Sequence, residues 1–206
     1  MKTTHTSWVK YVLLIAFLVL PAFSQAAISQ KSQDLRDKMR ELWIDHVVWT
    51  REFIVAFAAG SPSQPVASER LLHNQEEIGQ AVAAFYGTAA GEKLTALLKD
   101  HILISVEVVT AAKAGNDAQL KIADKKWHDN ADQIASFLSG ANPAWPKAEM
   151  QKMMYNHLAK TTKEAVARLK GNWKEEVAIY DEVRSQIIHM ADMLSDGIIA
   201  QFPAKF

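Results

Sequence analysis

Three histidines stand at nearly equal intervals along this chain, and an imidazole can ligate a metal, move a proton or anchor a buried hydrogen bond. His46, His101 and His157 follow Asp45, Asp100 and Asn156 and precede Val47, Ile102 and Leu158, at intervals of 55 and 56 residues. A hydroxyl stands four residues after each histidine (Thr50, Ser105, Thr161) and a glycine fourteen residues after each (Gly60, Gly115, Gly171). Seven and four residues before them stand Met39 and Leu42, Leu94 and Leu97, Met150 and Met153. So many coincidences in one register mark three copies of one unit, each with a histidine at the same address.

Three neutral imidazoles on one level of a helical core are a ligand set that copper and zinc accept. The neighbouring Asp or Asn, or the Thr50, Ser105 and Thr161 hydroxyls, would then orient the rings, because a ligating histidine donates its second nitrogen to a fixed acceptor. The same residues also fit a polar layer that only sets register, with His46 bonding Asn74 and His101 bonding Asn130. A ferritin-like di-iron site needs a glutamate three residues before its histidines. Trp43, Leu98 and Met154 stand there, which excludes it. No thiol and no nucleophile elbow is present. Glu52, Glu107 and Glu164 are the candidates for an acid pair of a hydrolase.

Helices must position these residues, since apolar side chains recur at helical spacing almost throughout and nowhere alternate as in a strand. The pattern predicts helices over 29–59, 66–86, 91–114, 117–138, 146–170 and 173–202, with a loop at 61–65 and a linker at 140–146. Gly60, Gly115 and Gly171 end the first, third and fifth, and Asn116 and Asn172 cap the fourth and sixth. The fold expected is all-α, a six-helix bundle of three helical-hairpin repeats, about 35–87, 91–140 and 146–202. Leu35, Met39, Leu42, His46, Trp49 and Phe53 step by four and three residues, so the histidine faces inward. On the returning helices Asn130-Ala131-Asp132 resembles Met190-Ala191-Asp192 and Asn74-Gln75-Glu76. That echo places Asn74, Asn130 and Met190 at the histidine level, although helical rise alone points nearer 184–186.

Composition bounds the setting. Lys2 and Lys10 precede an apolar stretch, 11–20, followed by Pro21 and Ser24-Gln25-Ala26-Ala27, which reads as a signal peptide over 1–26 and a single domain over 27–206. The expected location is periplasmic or secreted, with no stable membrane anchor after cleavage. The remaining chain carries 21 basic and 23 acidic side chains, a formal charge of −2, which offers nucleic acid nothing. The chain has no cysteine, so packing alone must hold an exported domain together. Met150, Met153 and Met154 read as core, and His73, His128 and His189 as surface positions.

The residues from Trp43 to Arg51, Lys126-Trp127 with Asn130-Ala131-Asp132, Tyr155-Asn156-His157-Leu158, Met190-Ala191-Asp192 and the closing Gln201-Phe202-Pro203-Ala204-Lys205-Phe206 resemble a family of bacterial helical proteins without an established function. Some members carry automatic labels such as acetylglutamate kinase or glycosyltransferase. The resemblance runs from about residue 35 to the end. It implies no chemistry here, since no phosphate cradle or nucleotide-sugar motif is visible.

The function expected is an exported, non-enzymatic binding protein whose layer, His46, His101 and His157, coordinates copper or zinc. Asn74, Asn130, Thr50, Ser105, Thr161 and Met190 would surround that layer. The alternative is a structural or partner-binding helical module whose His and Asn residues only set the packing, with no partner named by the sequence. A small-molecule pocket or hydrolase is third.

Overall fold

The structure, a computed structural model, describes residues 29–206, so the expected signal segment 1–26 lies outside the described residues. Six helices follow in order: α1 (Gln30–Ala59), α2 (Gln64–Tyr86), α3 (Thr88–Lys113), α4 (Asp117–Ala141), α5 (Lys147–Leu169) and α6 (Trp173–Gln201). A short 3-10 turn, Pro203–Lys205, ends the chain. Each helix packs on its neighbours in sequence, and α6 returns to α1, which closes the bundle. Helices α1 and α3 also touch α5. Among the described residues no helix is long and apolar enough to cross a membrane.

The first, third and fifth helices end in the same way. Gly60, Gly115 and Gly171 take φ of +62°, +64° and +74°. The next residue's N–H reaches back to Ala56, Ala111 and Ala167 in turn, at 2.9, 3.0 and 2.9 Å. The glycine's own N–H bonds Phe57, Ala112 and Arg168 at 3.2, 3.2 and 3.1 Å. This paired closure satisfies orphan carbonyls and needs a left-handed residue, which glycine adopts without a Cβ clash. All three hairpin turns therefore start from one geometry.

Several boundaries differ from those expected. Pro65 belongs to the first turn of α2 rather than to the loop, because a helix leaves its first N–H groups unpaired and proline lacks only what is unused there. Helix α4 runs through Gly140 to Ala141, so the linker is shorter than 140–146. Asn116 caps α4 by accepting from the Gln119 N–H. Asn172 stands at the equivalent place on α6 without capping it, its amide donating instead to Glu175.

The core takes Met39, Leu42, Leu94, Leu97, Met150 and Met154, each at most 5% exposed. Leu35, Trp49, Ile104 and Met153 are half-buried at its margin. The closing phenylalanines fold back, with Phe202 and Phe206 6.0 and 5.8 Å from the Phe85 ring. Trp145 lies in a loop yet is 1% exposed. Buried Asn142 orders that loop, its side-chain oxygen accepting from the Ala144 N–H and its amide donating to the Tyr86 hydroxyl. The Trp145 indole lies against Gly197 of α6, where a Cβ would overlap the indole nitrogen and meet Cδ1 at 2.7 Å.

Gly197→Ala is therefore expected to lower stability by about 1–3 kcal/mol, the usual penalty for overpacking. Gly140→Ala, where an added Cβ meets nothing within 4 Å, should be neutral or stabilise by up to about 1 kcal/mol. Denaturant unfolding of both variants tests the pair, and equal effects would show that the indole can move aside.

Candidate functional site

The histidine stripe places His46, His101 and His157 inside the bundle, at 3%, 2% and 4% exposure. The rings lie together. His46 and His157 have centroids 5.7 Å apart, and His101 and His157 6.4 Å apart. Trp43 packs against His46 and Trp127 against His101, at 5.6 and 5.2 Å. Asp45, Asp100 and Asn156 do not orient these rings, since the residue before a core position on a helix points about 100° away from it. Asp45 pairs instead with Arg70 at 3.2 Å, and Asp100 and Asn156 are exposed.

Carboxamides on the returning helices hold the rings. Each histidine Nδ1 meets a side-chain amide 29 residues further on: Gln75 at 3.2 Å, Asn130 at 2.8 Å and Gln186 at 3.2 Å. The amide nitrogen of Asn130 also donates to the Leu97 carbonyl at 3.0 Å, and that of Gln186 to the Met153 carbonyl at 3.4 Å. In each case the carbonyl lies four residues before the histidine. In the first hairpin two residues divide this work. Asn74 donates to the corresponding Leu42 carbonyl at 3.0 Å, and Gln75 meets the ring. The expected His46–Asn74 bond is thus corrected to His46–Gln75, because Asn74 spends its amide on the backbone. His101 bonds Asn130 directly.

Met190 is not at this level, the place assigned to it by its local echo of Asn130. It is 2% exposed and lines an enclosed apolar cavity with Met39, Trp43, Met150 and Leu194 on one side of the layer. The hydroxyls line a second enclosed cavity on the other side. That space is roughly 20 Å³, room for about one water. Thr50 and Ser105 bond carbonyls of their own helices, His46 O and Ile102 O, both at 2.7 Å. Thr161 Oγ1 is buried without a partner. None of the three hydroxyls orients a ring. Of the acid candidates Glu52, Glu107 and Glu164, only Glu164 is buried; Glu52 is exposed and Glu107 pairs with Lys126 at 2.8 Å.

The hydrogen-bond network assigns the tautomers. Asn130 and Gln186 turn their NH₂ groups to backbone carbonyls and their oxygens to the rings, so Nδ1 of His101 and His157 must donate and Nε2 carries the lone pair. Gln75 is reversed. Its NH₂ lies 2.8 Å from the Leu71 carbonyl and 3.2 Å from both Asn74 Oδ1 and His46 Nδ1, three acceptors for two hydrogens, and its Oε1 is buried without a partner; the nitrogen, which cannot accept, thus faces His46. His46 Nδ1 then accepts and its Nε2 carries the proton. The trio thus holds one Nε2–H and two bare Nε2 atoms, of which His101 Nε2 is buried with no partner.

A metal taking all three Nε2 atoms needs them bare, with ring centres about 5 Å apart for bonds near 2 Å. Here the measured separations are wider, and His46 has the opposite tautomer. Among the described residues no three His, Asp or Glu side chains converge to hold a metal ion.

Burial removes charge from all three rings. It holds His101 down at about 3, with the neighbouring His157 adding repulsion. It holds His157 at about 4. His46 lies well below its ordinary value, by burial first and then by His157 and His101. The layer is neutral near pH 7, as burial in an apolar core requires.

Depressed values of this kind give stability that is fully present above the unfolded value near 6.5 and is lost as pH falls through the folded values. Stability should therefore decline from about pH 6.5 toward pH 3, by at most about 1.4 kcal/mol per pH unit for each imidazole. Urea midpoints across that range, compared with those of His101→Gln, check this. A wild type as insensitive to acid as the variant would contradict it.

No family model matches this chain, and no curated protein or solved structure matches it.

Proposed function

We propose that the chain is an exported, non-enzymatic helical module in which three related hairpins are held in register by a buried layer of histidines and carboxamides, and that this layer is a packing device. The observation that carries this reading is the repeated 29-residue contact, in which an amide grips the ring and, in two hairpins, also the carbonyl one turn before it. In the first hairpin Asn74 and Gln75 share the same two contacts. A buried polar group that is satisfied in only one register penalises every other, which is the best-attested use of such layers. Recognition of a partner then falls to the outer surface.

Coordination of copper or zinc is the second reading, and the unpartnered Nε2 of His101 favours it. Two bare Nε2 atoms, on His101 and His157, suit a metal. The third requires Gln75 to turn its oxygen to His46 and surrender its bonds to Leu71 and Asn74. The packing reading is favoured because it leaves those bonds intact.

The two readings separate in one preparation. For the chain beginning at Ala27, the packing reading expects no stoichiometric copper or zinc after dialysis at pH 7, and an unchanged melting temperature when either metal is added. It also expects His101→Leu to lose about 1–3 kcal/mol, because the Asn130 side-chain oxygen is left unpaired, while His101→Leu with Asn130→Leu recovers much of that and exchanges its amides faster. One equivalent of metal, lost in His101→Ala, would replace the packing reading with the metal one. Export is tested by intact mass, which should show the first 26 residues removed.

A further inference from the structure

Two carboxyls are buried in this bundle, Glu164 of α5 and Glu176 in the first turns of α6, each 1% exposed. One guanidinium from α1 stands between them. Arg51 Nε and Nη2 both lie 2.7 Å from Glu176 Oε1, and Arg51 Nε lies 3.8 Å from Glu164 Oε1. Arg51 also covers the Tyr180 ring at 4.8 Å. Arg168 of α5 sits 3.7 Å from Glu176 Oε2 and covers the Trp173 ring at 4.5 Å. Glu164 Oε1 has no hydrogen-bond partner.

This cluster departs from the repeated unit. Seven residues after the other two histidines stand Phe53 and Val108, both in the core at 2% and 3% exposure. Five residues after His101 and His157 stand Val106 and Thr162, where α1 has Arg51. The same address is thus packed with apolar side chains twice and with a carboxyl once. Buried ion clusters add little to stability compared with apolar packing of similar volume, so stability alone does not account for this seam.

The groups facing Glu164 are Arg51 from α1 and Glu176 and Tyr180 from α6, with Arg168 beyond Glu176 on its own helix. Burial, and secondly the Glu176 charge, push the Glu164 carboxyl up to about 8 against the pull of Arg51. Near pH 7 Glu164 therefore keeps its proton, and the guanidinium of Arg51 rests against Glu176 at 2.7 Å. When Glu164 loses its proton to solvent, two carboxylates on two different helices contend for that guanidinium.

We propose that Glu164 is a proton-operated latch on the seam between α1 and α6: protonated, it leaves Arg51 to Glu176 and the seam shut; deprotonated, it draws Arg51 across and frees the start of α6. The sign is opposite to that of the histidines. A raised acid contributes stability that is full below its unfolded value near 4.5 and is lost as pH rises through about 8.

Amide hydrogen exchange on the chain from Ala27, corrected for the intrinsic pH dependence, tests the latch between pH 6.5 and 9.5. Protection over residues 176–180, the first amides of α6 with hydrogen bonds, should fall by about tenfold across this range in the wild type while α3 and α4 stay protected. In Glu164→Gln, which has no proton to lose, and in Glu164→Val, which copies the residue of the second unit, the fall should vanish. Either variant serves if the other does not fold. Carbon NMR of the Glu164 carboxyl should place its transition near the same pH, and Glu176→Gln should move that transition down by about one unit. A wild-type loss below about threefold, a loss that persists in Glu164→Gln or Glu164→Val, or a transition indifferent to Glu176→Gln overturns the proposal.

Discussion

An imidazole buried among apolar side chains must be neutral and must still find a polar partner for its Nδ1, and the arrangement of this bundle follows from meeting that demand three times. Carboxamides meet it because they carry a donor and an acceptor on one planar group. The end that faces the backbone fixes which end faces the ring. Asn130 binds His101 and the Leu97 carbonyl together, so sliding α4 by one turn, about 5.4 Å, breaks both contacts at once. Apolar packing between helices tolerates such slips far better, since one leucine resembles the next.

The helix endings make this grip repeatable. Fourteen residues separate each histidine from the left-handed glycine, and fifteen separate that glycine from the amide: Gly60 to Gln75, Gly115 to Asn130, Gly171 to Gln186. With a common closure at each turn, equal counts down one helix and up the next return the chain to the same level. The first hairpin has the longer loop, from Gly60 to Ser63. There the grip is divided between Asn74 and Gln75, so a difference in loop length coincides with a change of residue rather than a change of level.

Helices, their endings and the inward face of the histidines were legible because each rests on a local rule: apolar period, a glycine stop, residues stacked at steps of three and four. The partners of the rings were harder to read. Similarity between Asn130-Ala131-Asp132 and Met190-Ala191-Asp192 suggested Met190, whereas counting from the histidine leads to Gln186. Resemblance of residue types competed with register, and register is what geometry obeys. The same counting would have found Gln75. Trp145 escaped because loop position says nothing of burial when a glycine such as Gly197 opens a seat on a neighbouring helix. Glu164 stands among the acid candidates of the sequence, but its burial was not legible, because an acid on a helix is ordinarily solvated. Its burial depends on Arg51, more than a hundred residues away in sequence.

Layer and latch impose contrary demands on protons. The imidazoles are buried without a facing carboxylate, so acid loads charge into a core that cannot neutralise it. Glu164 is buried beside Glu176 with Arg51 already engaged, so base does the same with the opposite sign. His157 and Glu164 both belong to α5, about two turns apart. One helix therefore carries a group that must stay unprotonated and a group that must stay protonated, and both conditions hold only between the acid titration of the histidines and the alkaline titration of the carboxyl. Substituting a core leucine changes the depth of that window, because it alters packing at every pH. Exchanging either polar group for an apolar one removes one of its edges. The polar residues of this core therefore do more to set the conditions under which the bundle is closed than to set how strongly it is held.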